Sequence, residues 1–401
     1  MNDGAHSRPV SLAALLATAI ATGAFAGLVA GGFIWLIEQG TAFVWSDLPD
    51  AVGVDPYESW WLFLIPIVGG ALVGVGQMVL GNYPRPLEEA VATWRQGGHI
   101  EPVVAPKTAG NSLVALIAGG PVGFEAALTG VLGGTATWVG SRITTVGELV
   151  RNAWGVDEVD DVPRTVHRLP YWLAAIASLL TYRWLPFGGI DLGFRFTDFD
   201  GDLGIGPGLT AFAFGVVLAV PVAWAIKYVQ LAERSMQFRR SPILIGMAGG
   251  LAFALLALPN ELVLFSGQEG IQLLPEAPNG ELIYVAIAKW VALVVALFAG
   301  WRGGPIFPIC TSVAALAVLA DELVDVGPDI MIVAAIAAAA VVFVKGSLPM
   351  AVVLALYPVQ MSYAVVIIVG CLGGAVGLAV ARSLGVLPLP PAEHEPVETT
   401  A

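Results

Sequence analysis

Charged side chains are scarce in this 401-residue chain. Asp, Glu, Lys and Arg together make up 12% of the residues, whereas hydrophobic residues make up 57%. In a soluble globular domain about a quarter of the residues are charged. The composition therefore excludes an ordinary soluble domain and predicts an integral membrane protein, with the lipid bilayer as its surroundings and no nucleic acid among its partners.

The residues and motifs of common catalytic sites are also lacking. The chain has four His and two Cys, and both Cys310 and Cys371 fall in apolar runs, where we expect neither a disulfide nor a metal site. It contains no His-Glu-x-x-His, no P-loop and no Gly-x-Ser-x-Gly sequence. We therefore expect a protein that is not an enzyme and that holds neither a cofactor nor a metal.

Long uncharged runs take up much of the chain. Several exceed the roughly 20 residues that cross a hydrocarbon core as a helix. The first is longer than the core of a secretory signal, about 7–15 residues, and is interpreted as a helix. Two shorter runs, 169–182 and 290–301, predict helices that stop partway across the membrane or are buried in protein. The longer runs lie at 9–37, 59–84, 203–226, 241–260, 303–320 and 346–381.

The charges between these runs predict an orientation in the membrane. Residues 38–58 include acidic side chains but no Lys or Arg, whereas Arg85, Arg95 and Lys107 follow the second run. Cytoplasmic loops of membrane proteins are enriched in Lys and Arg. We therefore expect a multi-pass protein of the plasma membrane with a cytoplasmic N-terminus.

A weak internal repeat divides the chain into two halves. Each half has a glycine-rich apolar segment, a polar break, a Lys and a Gly-Gly-Pro sequence, in that order. These features lie at 65–74, 81–89, Lys107 and 119–121 in the first half and at 243–252, 266–275, Lys289 and 303–305 in the second. The acidic loop between the halves is external in the predicted topology, so the second half is inverted. We expect a single transmembrane domain over 1–401, with half-repeats at 9–186 and 203–384 and a disordered tail at 385–401.

Glu125 is the residue that most favours a functional interpretation. It is the one charged residue between 108 and 141, and an ionisable group inside the membrane is costly and by default a functional candidate. Pro121 and Gly123 favour a helix that begins at mid-membrane, where its N-terminus would attract an anion. A charged carboxylate would compete with that anion, and a protonated one would leave the site. The alternative is a Glu that caps its own helix or pairs with Arg.

Two further segments are candidates for the same site. Residues 303–308 would begin the symmetry-related helix, with Ile306 and Phe307 as backbone donors, and a simple loop-to-helix junction is the alternative. Asn82 and Tyr83 offer side-chain donors from the polar break, where turn chemistry or an interfacial Tyr is the commoner explanation.

These segments resemble the motifs of the CLC chloride channel and transporter family. The family's G-[KR]-E-G-P is similar to G-F-E-A-A at 123–127, its G-G-I-F-A-P to G-G-P-I-F-P at 303–308, and its S-G-G-G-x-x-x-I-P to the sequence at 266–275, while its G-S-G-I-P maps to 82–86. The resemblance covers roughly residues 11–384 and is to a prokaryotic-type member without C-terminal regulatory domains. It implies an all-α polytopic membrane protein with an inverted-repeat fold of broken, tilted helices, a homodimer, and one anion pathway per subunit. It also implies gating by Glu125 and anion binding at Gly123, Phe124, Ala126, Gly304, Ile306, Phe307, Asn82 and Tyr83.

The sequence departs from the family pattern at several points. Pro305 has no N–H to donate, Tyr83 stands where the family has a serine, and no tyrosine follows the last helix. The interval 131–168 is short for the two helices that carry the family's internal proton-transfer glutamate. We therefore favour an anion channel or uniporter for chloride or another small monovalent anion, gated by protonation of Glu125. The alternatives are a proton-coupled chloride or fluoride antiporter, with protons as further partners and Asn82 similar to substitutions in the fluoride subgroup, and a non-transporting membrane scaffold.

Overall fold

The computed structural model describes residues 4–85, 89, 101–142, 169–184, 196, 199, 201–235, 241–356 and 359–386. The regular structure of these residues is helical, apart from an isolated bridge between Gly123 and Gly304. A π-helical turn (Phe43–Asp47) and 3₁₀ segments at Glu261–Val263, Gln268–Glu276 and Met361–Tyr363 connect some of the α-helices. The α-helices are α1 (Gly4–Ala42), α2 (Leu48–Val52), α3 (Trp61–Leu80), α4 (Val104–Ile117), α5 (Glu125–Arg142), α6 (Leu169–Trp184), α7 (Ile205–Ser235), α8 (Pro242–Ala257), α9 (Asn279–Phe298), α10 (Ile306–Val324), α11 (Pro328–Phe343), α12 (Leu348–Leu356) and α13 (Ala364–Ser383).

Six helical segments of the described residues are long and apolar enough to cross a membrane. They are Leu16–Val52, Trp61–Leu80, Ile205–Glu233, Asn279–Phe298, Ile306–Val324 and Met361–Ser383. Two further apolar helices, α8 and α11, are shorter. The prediction of an all-α, multi-pass membrane protein is therefore confirmed.

Most of the local predictions agree with the helix bounds. The short run at 169–182 is the 16-residue helix α6, and the break at 266–275 falls mainly in a 3₁₀ segment. The short helix predicted at 290–301 is wrong, because α9 begins at Asn279 and continues through Lys289 for 20 residues. The interval 143–168, where family helices were expected to be missing, lies outside the described residues, as does most of the tail predicted at 385–401.

The chain divides into two compact units. Unit 1 comprises Met1–Asp191, Arg239–Ala254 and Ala299–Gly304, and unit 2 comprises Leu192–Phe238, Leu255–Phe298 and Pro305–Ala401. Unit 1 thus includes two short segments from the second half of the chain. The half-repeat bounds 9–186 and 203–384 stay a prediction.

Glycines allow α3 and α8 to pack closely within unit 1. A methyl group at Gly70 would collide with the carbonyl of Gly246, and one at Gly250 would collide with the carbonyl of Pro66. The earlier residue of α3, Pro66, meets the later residue of α8, Gly250, so the two helices run antiparallel. Backbones that touch in this way are typical of membrane helices joined through small residues.

Unit 2 is built around α11, which is apolar on all sides and buried along its length at 331–342. A methyl group at Gly374 of α13 would stand 2.7 Å from the Cα of Ala338 in α11. On the same helix, Gly373 lies against the carbonyl of Phe212 in α7. Because its neighbours cover it completely, α11 does not need the length of a helix that faces lipid.

Candidate functional site

Glu125 is the first residue of α5, as the sequence predicts. The chain reaches it through a tight turn, since Gly119 has a φ of +85° and ends α4, and Gly120 donates to the carbonyl of Ala115 at 2.9 Å. Only glycine adopts such a positive φ readily. The beginning of α5 packs through Ala127 and Val131 against Phe33 of α1 in a buried apolar cluster.

Gly123 and Gly304, one from each predicted helix-start motif, are paired through their backbones within unit 1. The N–H of each donates to the carbonyl of the other, and both N···O distances are 2.6 Å. At Gly303, a methyl group would stand 2.6 Å from Cβ of Val122 and 2.7 Å from the carbonyl oxygen of Gly123. The glycines of both motifs are therefore required by close backbone approach.

The segment Ala299–Gly304 is anchored in unit 1 by Trp301. This side chain is 0% exposed, donates from Nε1 to the carbonyl of Gly246 at 3.0 Å, and meets the ring of Phe253 edge-on at 4.7 Å. Gln77 of α3 donates to the carbonyl of Gly300. These contacts fix the position of Gly304.

The side chain of Glu125 lies over this glycine pair. A methyl group at either Gly123 or Gly304 would collide with Oε2 of the Glu125 carboxylate. The side chain is partly buried, and its neighbours Phe124 and Ala126 are buried. The hydroxyl of Thr129 donates to the Glu125 carbonyl at 2.9 Å. The carboxylate therefore occupies a place that exists only because both backbone positions lack a side chain.

The helix predicted after Gly304 begins at Ile306. Pro305 is its N-cap residue, and the first hydrogen bond of the helix runs from the N–H of Ile309 to the carbonyl of Pro305 at 3.1 Å. Pro305 and Pro308 have no N–H, so Ile306 and Phe307 carry the amides of this first turn. N–H groups before the first intrahelical bond point along the axis and favour an anion.

Tyr83 lies in a cationic cluster at the end of α3. The guanidinium carbon of Arg85 is 5.8 Å from the ring centroid, and Nζ of Lys107 is 5.5 Å from it. Asn111 of α4 shapes the turn by donating to the carbonyls of Gly81 and Tyr83 at 3.1 and 3.0 Å. Cations on the ring face attract anions to this region.

Asn82, the neighbouring candidate, is exposed, whereas Tyr83 is partly buried. The ion pair between Arg85 and Glu89 at 3.3 Å is also at an exposed position. The roles of Asn82 and Tyr83 in anion binding stay predictions.

Lys289 of α9 is a residue whose importance the sequence did not reveal. It is 0% exposed, and its Nζ donates to the carbonyls of Leu262, Leu264 and Phe265. The repeat pairs it with Lys107, but Lys107 is partly buried and lies over an aromatic ring. A single Lys inside an apolar helix was the signal that could have indicated it.

Each compact unit contains one of the predicted helix starts. In unit 1, α5 begins with Glu125 after a glycine-rich turn, and in unit 2, α10 begins at Ile306. A helix N-terminus favours an anion, and a carboxylate beside it can change with protonation. In the described part of the chain, no group of three or more His, Cys, Asp or Glu side chains could hold a metal ion.

Comparisons with known proteins identify the family and the fold of this chain. A family model described as voltage gated chloride channel matches residues 168–382. Among solved structures, a slow cyanobacterial Cl⁻/H⁺ antiporter superposes with a TM-score of 0.71 at 13% identity, over 93% of this chain and 97% of that one. A CLC-type fluoride/proton antiporter gives 0.68 at 16% identity, over 93% and 96%. A eukaryotic CLC transporter gives 0.67 at 15% identity, over 93% and 74%. No curated protein matches the sequence, and at these identities the structural likeness shows the fold alone.

Proposed function

Because this chain belongs to the voltage-gated chloride channel family, we propose that it is an anion channel or uniporter that passes chloride or another small monovalent anion across the membrane. Members of this family are channels and transporters, not enzymes. The proposal extends to a homodimer in the plasma membrane with a cytoplasmic N-terminus, as the resemblance and the charge pattern predict.

The position of the Glu125 carboxylate is the observation that carries the proposal. The side chain lies over Gly123 and Gly304 at the beginning of α5. While charged, the carboxylate holds this place through its attraction to the helix N-terminus. On protonation it loses that attraction and swings away, and a permeating anion takes its place. Flux should therefore rise as the pH falls.

The amides of the two helix-start segments are the proposed anion ligands. We assign this role to the N–H groups of Phe124 and Ala126 in the first segment and of Ile306 and Phe307 in the second. Gly123 and Gly304, whose N–H groups donate to each other's carbonyls, would line the anion site with backbone and leave room for the anion. Pro305 removes one donor from the second segment. The hydroxyl of Tyr83 and the amide of Asn82 would add side-chain donors. Anion preference depends on how many such donors converge.

Flux from liposomes tests the function. Purified protein in vesicles with an outward chloride or fluoride gradient should release the anion, as followed with an ion-selective electrode, and an external pH electrode should show no coupled proton movement. Stoichiometric proton movement would favour the antiporter instead. Absence of flux for every small anion tried would contradict both and leave the non-transporting scaffold.

Glu125→Gln tests the gate. The variant keeps the size of the side chain but cannot ionise, so its flux should be independent of pH and near the low-pH level of the wild-type protein. Glu269→Gln makes the same change at an exposed position and should leave the pH profile unchanged. A normal pH profile in Glu125→Gln would favour the helix-capping explanation of this residue.

A further inference from the structure

Lys289 carries a charge that the gating mechanism above does not use. The residue lies in the middle of α9, a segment long and apolar enough to cross the membrane, and its side chain is completely buried in unit 2. A buried cation is expensive in such surroundings unless its hydrogen bonds are fully made. Ionisable groups that persist in membrane helices are typically functional.

The geometry around Lys289 suits the ammonium form. Its Nζ is 2.8 Å from the carbonyl oxygen of Leu262, 2.5 Å from that of Leu264 and 2.8 Å from that of Phe265. A fourth oxygen, that of Val263, is 3.4 Å away. Three short contacts to acceptors need three N–H bonds, and an ammonium has three donors and no acceptor. The loop therefore offers the three acceptors that an ammonium needs.

The loop that surrounds Lys289 Nζ has an unusual backbone conformation. Phe265 has a φ of +55°, which non-glycine residues rarely adopt, and Gly267 has a φ of +84°. A methyl group at Gly267 would stand 2.8 Å from Nζ of Lys289 and 2.6 Å from Oγ1 of Thr311. The ammonium and the Thr311 hydroxyl are thus close neighbours on either side of Gly267.

Thr311 links this charge to the first turn of α10. Its hydroxyl donates to the carbonyl of Phe307 at 3.1 Å, and the two residues are one turn apart on the same helix. The ammonium therefore lies roughly 10 Å from the amides of Ile306 and Phe307. Its hydrogen bonds go to backbone carbonyl oxygens, which carry no net charge.

We propose that Lys289 is a fixed positive charge that raises the affinity of the α10 N-terminus for the permeating anion. The inference rests on the proposed function and adds a specific residue to the same anion site. The charge adds to the partial positive charge at the start of α10. Because its three donors are bound by the loop, the ammonium acts through its field and does not move with the anion.

Three substitutions distinguish the effect of the Lys289 charge from the effect of its hydrogen bonds to the loop. Lys289→Gln keeps hydrogen-bond donors for the loop but removes the charge, Lys289→Arg keeps both, and Lys289→Met keeps neither. A unit charge at about 10 Å with an effective dielectric constant of about 20 changes anion affinity by roughly ten- to twenty-fold. We expect the Gln and Met variants to bind chloride that much more weakly and the Arg variant to remain within about three-fold of wild type.

Chloride affinity is measured by calorimetric titration in detergent. In liposomes, the chloride concentration that gives half-maximal flux is measured. Thermal unfolding without chloride reports loop stability separately. Lys227→Gln is the matched control, since Lys227 is exposed on α7, and it should change neither affinity nor half-saturation. If Lys289→Met fails to fold, the difference in chloride affinity between Lys289→Gln and Lys289→Arg tests the proposal.

Wild-type affinity in Lys289→Gln would overturn the proposal, even if that variant unfolds at a lower temperature. Failure of both neutral variants to fold would also count against it, because the ammonium would then be needed for the scaffold. If the wild-type protein neither binds nor transports any small anion, the proposed function fails and the inference fails with it. That outcome is distinct from a transporting wild type whose Lys289→Gln variant binds chloride normally.

Discussion

A substitution at Gly304 can fill the space that the Glu125 carboxylate occupies and leave the carboxylate itself unchanged. In Gly304→Ala, the added methyl group would collide with Oε2 and stand 2.6 Å from Cδ and 3.1 Å from Cβ of Glu125. The backbone of Gly304 does not have a positive φ, so alanine can adopt it. The collision is with the end of a flexible side chain, which must turn away from its closed position.

The size of the effect follows from what the carboxylate loses. A partly buried carboxylate at a helix N-terminus is stabilised by up to about 2 kcal/mol, and Glu125 is partly buried at the start of α5. Losing this stabilisation would shift the balance between closed and open forms by about 30-fold toward open. Since the closed position holds the ionised form, the same loss moves the pH of half-maximal flux upward by about 1.5 units. Flux at neutral pH should rise accordingly.

Anion efflux from liposomes over a range of pH measures this shift. Gly32→Ala is the matched control, because a methyl group at Gly32 in α1 has no atom within 4 Å, and it should keep the wild-type pH profile. In the Glu125→Gln background, Gly304→Ala should add nothing further. A folded Gly304→Ala protein with an unchanged pH profile would refute the reasoning, because the carboxylate would then close the pathway from somewhere else.

Substitutions at two further positions test the anchor and the candidate ligand. Trp301→Ala should lower the free energy of unfolding by about 3–5 kcal/mol. Trp301→Phe keeps one aromatic ring but loses the hydrogen bond to Gly246 and part of the buried ring volume, and should lower it by about 2 kcal/mol. Equal losses in denaturant unfolding would contradict the packing argument. Tyr83→Phe keeps the ring beside Lys107 and Arg85 but removes the hydroxyl, and should weaken chloride binding about ten-fold. Unchanged affinity in calorimetry would remove that hydroxyl from the anion site.

The sequence predicts the helix starts because they depend on local chemistry. Gly119-Gly120-Pro121 must end α4 and permit a turn, and a helix can then begin at Glu125. The same applies to the sequence before Ile306. The apolar runs likewise predict the membrane-spanning helices, since the bilayer imposes one length and one composition on all of them.

Contacts between distant residues could not be predicted from the sequence. Nothing local to Gly123 indicates that it exchanges hydrogen bonds with Gly304, or that the Glu125 carboxylate lies over both. Lys289 also led to an error. Its charge marked the edge of an apolar run and suggested a short helix at 290–301, whereas the carbonyls of Leu262, Leu264 and Phe265 satisfy the ammonium and allow α9 to continue through it.

In the proposed mechanism, Glu125 and Lys289 divide two tasks that a single charged group could not perform. The Glu125 carboxylate is at the start of a helix, and only the absence of side chains at Gly123 and Gly304 leaves room for it, so it can exchange a proton and leave. The Lys289 ammonium has its three donors bound by backbone carbonyls, so it stays in place. We therefore expect pH to act on the group that can move, and anion affinity to depend on the group that cannot. A protein with this division can lose its pH dependence and keep its anion site, which is why the two residues need separate assays.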